Sequence, residues 1–209
     1  VDLWALSQSG PEEQLNRTEF TQPALLAAGI GVWRAWQAAG GPMPARLAGH
    51  SLGEYTALVA AGALSLKDGA HLVRIRGQLM QDAAPPGTGA MAAVIGAEDT
   101  MVQDACIEAS DSQVVVPANY NSPGQIVIGG GAAAVDRALA LLAGKGVRKA
   151  VKLAVSVPSH TTLMRDAANR LAETMRGLTW SVPSLPVVQN VDGQVHSSLD
   201  AIREALVQQ

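Results

Sequence analysis

Five consecutive residues, Gly49-His50-Ser51-Leu52-Gly53, have the types and spacing to do chemistry. They fit G-x-S-x-G, in which a serine sits on a sharp turn between a strand and a helix. The glycines on either side leave room for a tight, strained backbone and for close approach of a substrate. The serine Oγ would project at the strand's end. Backbone N–H groups of the helix's first turn would face a developing oxyanion. Such a turn suits acyl transfer, whether the acceptor is water or another group. The plainer alternative is a serine in a glycine-rich turn with no chemistry.

A serine nucleophile needs a base. The histidines are His50, His71, His160 and His196. His50 adjoins Ser51, so its side chain should diverge from the serine. His71 falls among charged helical positions and His196 in a polar loop, and both read as surface residues. His160 is predicted to open a helix on the face of Leu163, Met164, Ala167 and Leu171, pointing inward near the positive end of the helix dipole. That environment favours the neutral imidazole a base requires. On spacing alone, a catalytic base and a hydrogen-bonded core histidine both remain open.

Arg76 is the sharpest clue to substrate. On a helix from Asp68 to Ala83, Leu72, Val73, Ile75, Leu79, Met80 and Ala83 form one broad face with Arg76 in its middle. A buried unpaired guanidinium is costly, so Arg76 should meet an anion. The anion is either an internal Asp or Glu or a substrate carboxylate gripped by the guanidinium fork. In an acyl-transfer cleft the second choice means an acyl group with a free acid at its far end. Lys145, Arg148, Lys149 and Lys152 form a basic cluster that reads as a solvated face or as a docking patch for an acidic protein.

These side chains must be positioned by an alternation of strands and helices. Thr21 and Pro23 announce an apolar helix that Gly40-Gly41-Pro42 ends. Ala45 to Ala48 reads as the strand before the serine, and Leu52 to Ala61 as the helix after it. The Asp68 helix stops at Pro85-Pro86-Gly87. From Gly89 the order becomes β-α-β-β-α-β: strand 90–95, helix 98–109, strand 114–116, the loop Asn119-Tyr120-Asn121-Ser122-Pro123-Gly124, strand 125–128, helix 132–143 and strand 148–157. That is the split βαβ pattern of a ferredoxin-like unit. A helix from Ser159 or His160 to Arg176, a strand 186–190 and a helix 200–208 follow. The expected fold class is α/β. Residues 1–86 and 157–209 form a core with a mostly parallel sheet, and residues 87–156 form an inserted small subdomain.

Composition narrows the function classes. The chain of 209 residues is 48% hydrophobic and 16% charged, which argues for a sizeable core and against disorder. A net charge of -3 without a basic stripe argues against a nucleic-acid partner. No run of 18 apolar residues suggests a membrane span. The single cysteine, Cys106, cannot form an intramolecular disulfide, which fits a reducing compartment. The opening Val1-Asp2-Leu3-Trp4 reads as the middle of a longer polypeptide.

Four motifs then resemble, in order and spacing, the malonyl-CoA:acyl-carrier-protein transacylases, most closely the free-standing bacterial enzymes of type II fatty acid synthesis. They are Gly49-His50-Ser51-Leu52-Gly53-Glu54-Tyr55, Arg76-Gly77 with Met80-Gln81, Asn119-Tyr120-Asn121-Ser122-Pro123-Gly124-Gln125, and Val157-Pro158-Ser159-His160. The resemblance covers essentially the whole chain. It implies an α/β-hydrolase-like core with a ferredoxin-like subdomain. It also implies a ping-pong transfer of malonyl from malonyl-CoA to the phosphopantetheine thiol of acyl carrier protein. Ser51 matches the nucleophile and His160 its base, with the backbone of Gln209 orienting the histidine. The backbone N–H of Leu52 matches an oxyanion donor. Arg76 matches the partner of the malonyl carboxylate, and His50, Met80 and Asn121 match other substrate-cleft positions. No cofactor or metal is implied, and a cytoplasmic monomer is expected. The family also begins with a strand and a Gly-Gln-Gly-Ser-Gln loop carrying the second oxyanion donor, and it continues beyond the position of Gln209. The natural protein is therefore expected to be longer.

Three other readings stand beside this one. An acyltransferase domain of a polyketide or fatty acid megasynthase shares the motifs. An ordinary serine esterase orders its triad Ser, acid, His and carries an HGGG-type loop; no HGGG occurs here. The last is an inactive domain that only binds a carrier protein.

Overall fold

The computed structural model describes residues 1–85, 87–155 and 157–209. The residues divide into two compact units, Val1–Leu79 with Ala168–Gln209, and Met80–Ala167. The limits drawn from sequence, at 86/87 and 156/157, involve Pro86 and Ser156, which lie outside the described residues.

The first unit begins with α1 (Leu3–Ser9), α2 (Glu12–Leu15) and α3 (Thr18–Ala38). Asp2 caps α1 by accepting from the Ala5 N–H at 3.0 Å. The first two helices were not legible in the sequence. α3 starts three residues before Thr21, so Pro23 lies in its second turn and not its first. β1 (Leu47–Ala48) leads through Ser51 into α4 (Leu52–Ala60), and α5 is Leu66–Ala83. α5 begins two residues before Asp68 and is capped by Ser65: Ser65 Oγ accepts from the Asp68 N–H at 3.0 Å and donates to the Asp68 carboxylate at 2.7 Å. That reciprocal pair satisfies a donor with no intrahelical partner. Leu26 of α3, Leu58 of α4, and Leu72 and Val73 of α5 are fully buried. A Cβ on Gly77 would lie 2.6 Å from the Thr18 carbonyl oxygen. Only glycine lets α5 approach the start of α3 so closely, and this brings Arg76 beside α3.

β2 (Gly89–Ile95), α6 (Asp99–Ser110), β3 (Val115–Ser122), β4 (Gln125–Gly131), α7 (Ala132–Gly144) and β5 (Lys149–Lys152) build the second unit, in the β-α-β-β-α-β order expected. Its sheet has the order β3-β4-β2-β5 with every pairing antiparallel. Ala90, Ala92, Val94, Ile126 and Ile128 face Val102, Ala105, Val135, Ala138 and Leu142 of α6 and α7, as period-2 strands against period-3.6 helices require. Cys106 belongs to this core, and burial pushes its thiol up to about 11.

Two expectations change here. Asn119 to Ser122 is strand, not loop, paired to β4 with irregularities between Pro117 and Asn119 and between Tyr120 and Ser122. Pro123-Gly124 makes the turn, with Gly124 at φ +73°, the pair a type II turn prefers. His160 does not open a helix. It sits at φ +58° in a turn, ahead of a 3₁₀ turn (Thr162–Met164) and α8 (Arg165–Arg176). Thr161 caps that 3₁₀ turn, accepting from the Leu163 N–H at 3.3 Å and donating to the Pro158 carbonyl at 2.8 Å. The cap of Thr161 starts the helical run one residue after His160, so the helix-dipole argument for His160 does not apply.

β6 (Val187–Val188) and α9 (Leu199–Gln208) return to the first unit. β6 runs parallel to β1 in the register Leu47 to Val187 and Ala48 to Val188. Asn190 therefore stands level with His50, at the strand ends where the serine turn begins.

Candidate active site

Ser51 has φ +50° and ψ −106°, a strained conformation for a side-chain-bearing residue. Three described residues other than glycine have positive φ, and Ser51 and His160 are two of them. Strain of this kind gathers at functional sites. A Cβ on Gly49 would sit 2.0 Å from the backbone of Gly53, so the turn closes only with glycine there. At Gly53 a Cβ would meet no described atom within 4 Å.

Asn190 clamps the turn from both ends. Its Oδ1 accepts from the Ser51 N–H at 2.9 Å, and its amide nitrogen donates to the Gly49 carbonyl. Ser51 is the N-cap of α4, yet its side chain makes no capping hydrogen bond. Leu52 is the first residue of that helix, where N–H groups have no intrahelical acceptor and the helix dipole is positive.

Arg76 is buried, with 8% of its surface exposed. Its Nη1 donates to Gln22 Oε1 at 2.9 Å, and its Nη2 donates to Ser51 Oγ at 3.2 Å and Gln209 Oε1 at 2.9 Å. Gln22 is held in turn by Thr18, whose Oγ1 accepts from its Nε2 at 2.8 Å. The guanidinium also lies 5.4 Å from the centroid of the Tyr55 ring. All these partners are neutral, and the salt bridges among the described residues do not include Arg76. The internal ion pair that would have explained its burial is therefore absent among those residues.

Glu54 and Tyr55 complete the surroundings. Both are fully buried. Burial pushes the Glu54 carboxyl up; hydrogen bonds from Asn190 and Gln209 and the Arg76 charge pull it partly back. Burial also pushes the Tyr55 phenol up, against the pull of Arg76.

The first unit thus brings together Ser51, Leu52, Arg76 and Gln209. Gln209 takes part through its side chain. Gln22, Glu54 and Asn190 join the site without having been singled out from sequence. His50 is exposed two residues past β1. In the second unit His160 is half-buried and Asn121 is exposed on β3, while Met80 packs against Ala84, Val157 and Met164. Among the described residues no group of three or more His, Cys, Asp or Glu is placed to hold a metal ion. No helix of these residues is long and apolar enough to cross a membrane.

A strained serine between a strand and a helix, with a buried guanidinium beside its hydroxyl, is the arrangement of a serine acyltransferase. Residues 3–205 match the acyl transferase domain family, and the chain belongs to that family. The malonyl CoA-acyl carrier protein transacylases of Salmonella typhimurium and Escherichia coli K12 are each 53% identical over 208 residues, all of this chain and 67% of theirs. The crystal structure of the malonyl-CoA:acyl carrier protein transacylase from Xanthomonas oryzae superposes with a TM-score of 0.99 at 76% identity, covering 100% of this chain and 66% of that one. A type II PKS acyl-carrier protein in complex with its malonyl-transacylase gives 0.97 at 52% identity, covering 99% and 67%. The chain thus spans about two thirds of the length of these relatives.

Proposed function

We propose that this chain carries the catalytic site of a malonyl-CoA:acyl carrier protein transacylase. The observation that carries the reading is the buried Arg76 guanidinium, 3.2 Å from Ser51 Oγ and held, among the described residues, by neutral acceptors. An acyl group on Ser51 whose free carboxylate lies two carbons from the ester carbonyl returns that carboxylate to the same guanidinium. A malonyl group has this shape, and an acetyl group leaves the cation without its anion. The names of the relatives agree with this chemistry.

His160 takes the proton of Ser51 as Oγ attacks the malonyl thioester. The Leu52 N–H stabilises the oxyanion, as backbone donors at a helix start do. CoA leaves with the proton from His160. The phosphopantetheine thiol of acyl carrier protein then attacks malonyl-Ser51, and the same steps run in reverse. The carbonyl of Gln209 orients the imidazole, and His50, Met80 and Asn121 line the substrate cleft. In fold terms the first unit is the α/β-hydrolase-like core. The β3-β4-β2-β5 order of the second supports a ferredoxin-like subdomain. The lone buried Cys106 fits a cytoplasmic enzyme, and no cofactor is required by these steps.

The test is transfer of label from malonyl-CoA to a phosphopantetheine-bearing carrier protein. His160→Ala is expected to slow both half-reactions by about a hundredfold or more. A near-normal rate in either half would point to another base.

A further inference from the structure

Residues Ser51 to Glu54 spell the S-x-x-E pattern of a helix capping box, in which the glutamate reaches back to the N-cap N–H. The structure does something else with it. The Ser51 N–H goes to Asn190, and Glu54 turns into the interior. There Glu54 Oε2 accepts two hydrogen bonds, from Gln209 Nε2 at 2.6 Å and from the Asn190 backbone N–H at 3.0 Å. Its Oε1 is buried without a hydrogen-bond partner among the described residues. Burying a carboxyl with one oxygen unsatisfied is destabilising, and a residue kept for stability alone would not have this form.

We propose that Glu54 is the positioning residue of this site: through Gln209 it aims Arg76, and through Asn190 it holds the serine turn. The proposal rests on the transacylase reading above. The two acceptor bonds of Glu54 reach the two residues that touch the chemistry.

An amide is nearly symmetric in shape, so Gln209 could present oxygen or nitrogen to Arg76. The guanidinium only donates. The amide must therefore turn Oε1 to Arg76 and Nε2 away. Glu54 supplies the acceptor that makes this orientation favourable, and the Ser51 carbonyl, 3.3 Å from Nε2, is the second acceptor nearby. The Oε2 of Glu54 accepts in either protonation state, because a proton would reside on the unpaired Oε1. With the amide fixed, Arg76 Nη2 is held between Gln209 Oε1 and Ser51 Oγ. On the other branch, Asn190 bonds both flanks of Ser51 while its own N–H is tied to Glu54. One carboxyl on the first turn of α4 thus connects the nucleophile's backbone with the selectivity residue.

Glu54→Met keeps side-chain length and removes the acceptor. Glu54→Gln keeps an acceptor oxygen for Gln209 and Asn190. The purified protein would be incubated with malonyl-CoA and with acetyl-CoA, and the rates of Ser51 acylation read by mass spectrometry. The side-chain amide protons of Gln209, assigned by their loss in Gln209→Met, would be followed by NMR exchange. In Glu54→Met the malonyl-to-acetyl rate ratio is expected to fall about tenfold, as for the loss of one charge-assisted bond. The Gln209 amide protons should exchange faster, and Glu54→Gln should restore most of both. Gln209→Met should lower the ratio similarly, and the Glu54→Met/Gln209→Met double variant should go no lower than either single.

An unchanged ratio and unchanged amide exchange in Glu54→Met would overturn the proposal. So would drops that multiply in the double variant, or a Glu54→Gln variant no better than Glu54→Met. A wild type that accepts neither acyl group would contradict the transacylase reading instead, and the Gln209 amide signals alone would then uphold or overturn the positioning claim.

Discussion

Replacing Arg76 by Met should change what the enzyme accepts more than how well it folds. The guanidinium commits three donor contacts to Gln22, Ser51 and Gln209, all neutral. Of its five N–H groups, two are then left, among the described residues, for a carboxylate. Each charge-assisted hydrogen bond is worth about 1.5–3 kcal/mol, so the pair gives about 3–6 kcal/mol. The bound carboxylate must give up its hydration, so the lower end is the better guide. About 3 kcal/mol corresponds to roughly a hundredfold. Arg76→Met should therefore lower the malonyl-to-acetyl ratio of acylation rates about a hundredfold, chiefly through malonyl. Rapid-quench acylation with each thioester, read as the mass of the acyl-enzyme, measures this directly. Arg76→Lys keeps the charge but loses the fork, and should recover only part of the ratio. An unchanged ratio in Arg76→Met, with acylation otherwise normal, would refute the assignment of Arg76 to the substrate carboxylate.

Two further predictions concern the frame around the serine. Gly49→Ala places a Cβ 2.0 Å from the Gly53 backbone and should cost about 3 kcal/mol, the upper range for overpacking. That is a fall in Tm of about 6–12 °C, with acylation lost in parallel; a normal Tm would mean the turn is not as tight as described. Glu54→Gln should be as stable as the parent, or more so, near pH 7. The Glu54 carboxyl is pushed above its ordinary 4.5 by burial, against the hydrogen bonds from Asn190 and Gln209 and the Arg76 charge. Its stabilising contribution is complete below pH 4.5 and is lost as pH rises through the raised value. Thermal scans should show the variant's advantage shrinking as the pH is lowered toward that ordinary value, and an advantage that grows on acidification would contradict the direction of the shift.

Much of this site was legible because its signals are local. The G-x-S-x-G run marks the serine turn, and helical periodicity puts Arg76 on the buried face of α5. The rest depends on contacts between distant residues. Gln22 and Arg76 are 54 positions apart, and Glu54 and Gln209 are 155 apart. A polar residue at either end carries no periodic mark of its partner. Asn190 becomes visible only through the parallel register of β1 and β6, a pairing that neither strand's own sequence marks. Asn119 to Ser122 has turn-forming composition, yet pairing with β4 draws it into a strand, as tertiary context does with weak propensities. For His160, a cap one residue later moved the helix start and left the histidine in a left-handed turn.

The central claim is a malonyl group carried on Ser51. Intact-protein mass spectrometry after brief incubation with malonyl-CoA or acetyl-CoA, followed by peptide mapping, tests it most directly. A malonyl adduct on the Ser51 peptide, little acetyl adduct, and neither in Ser51→Ala is the expected result. An adduct that persists in Ser51→Ala, or equal uptake of both acyl groups, would contradict the account.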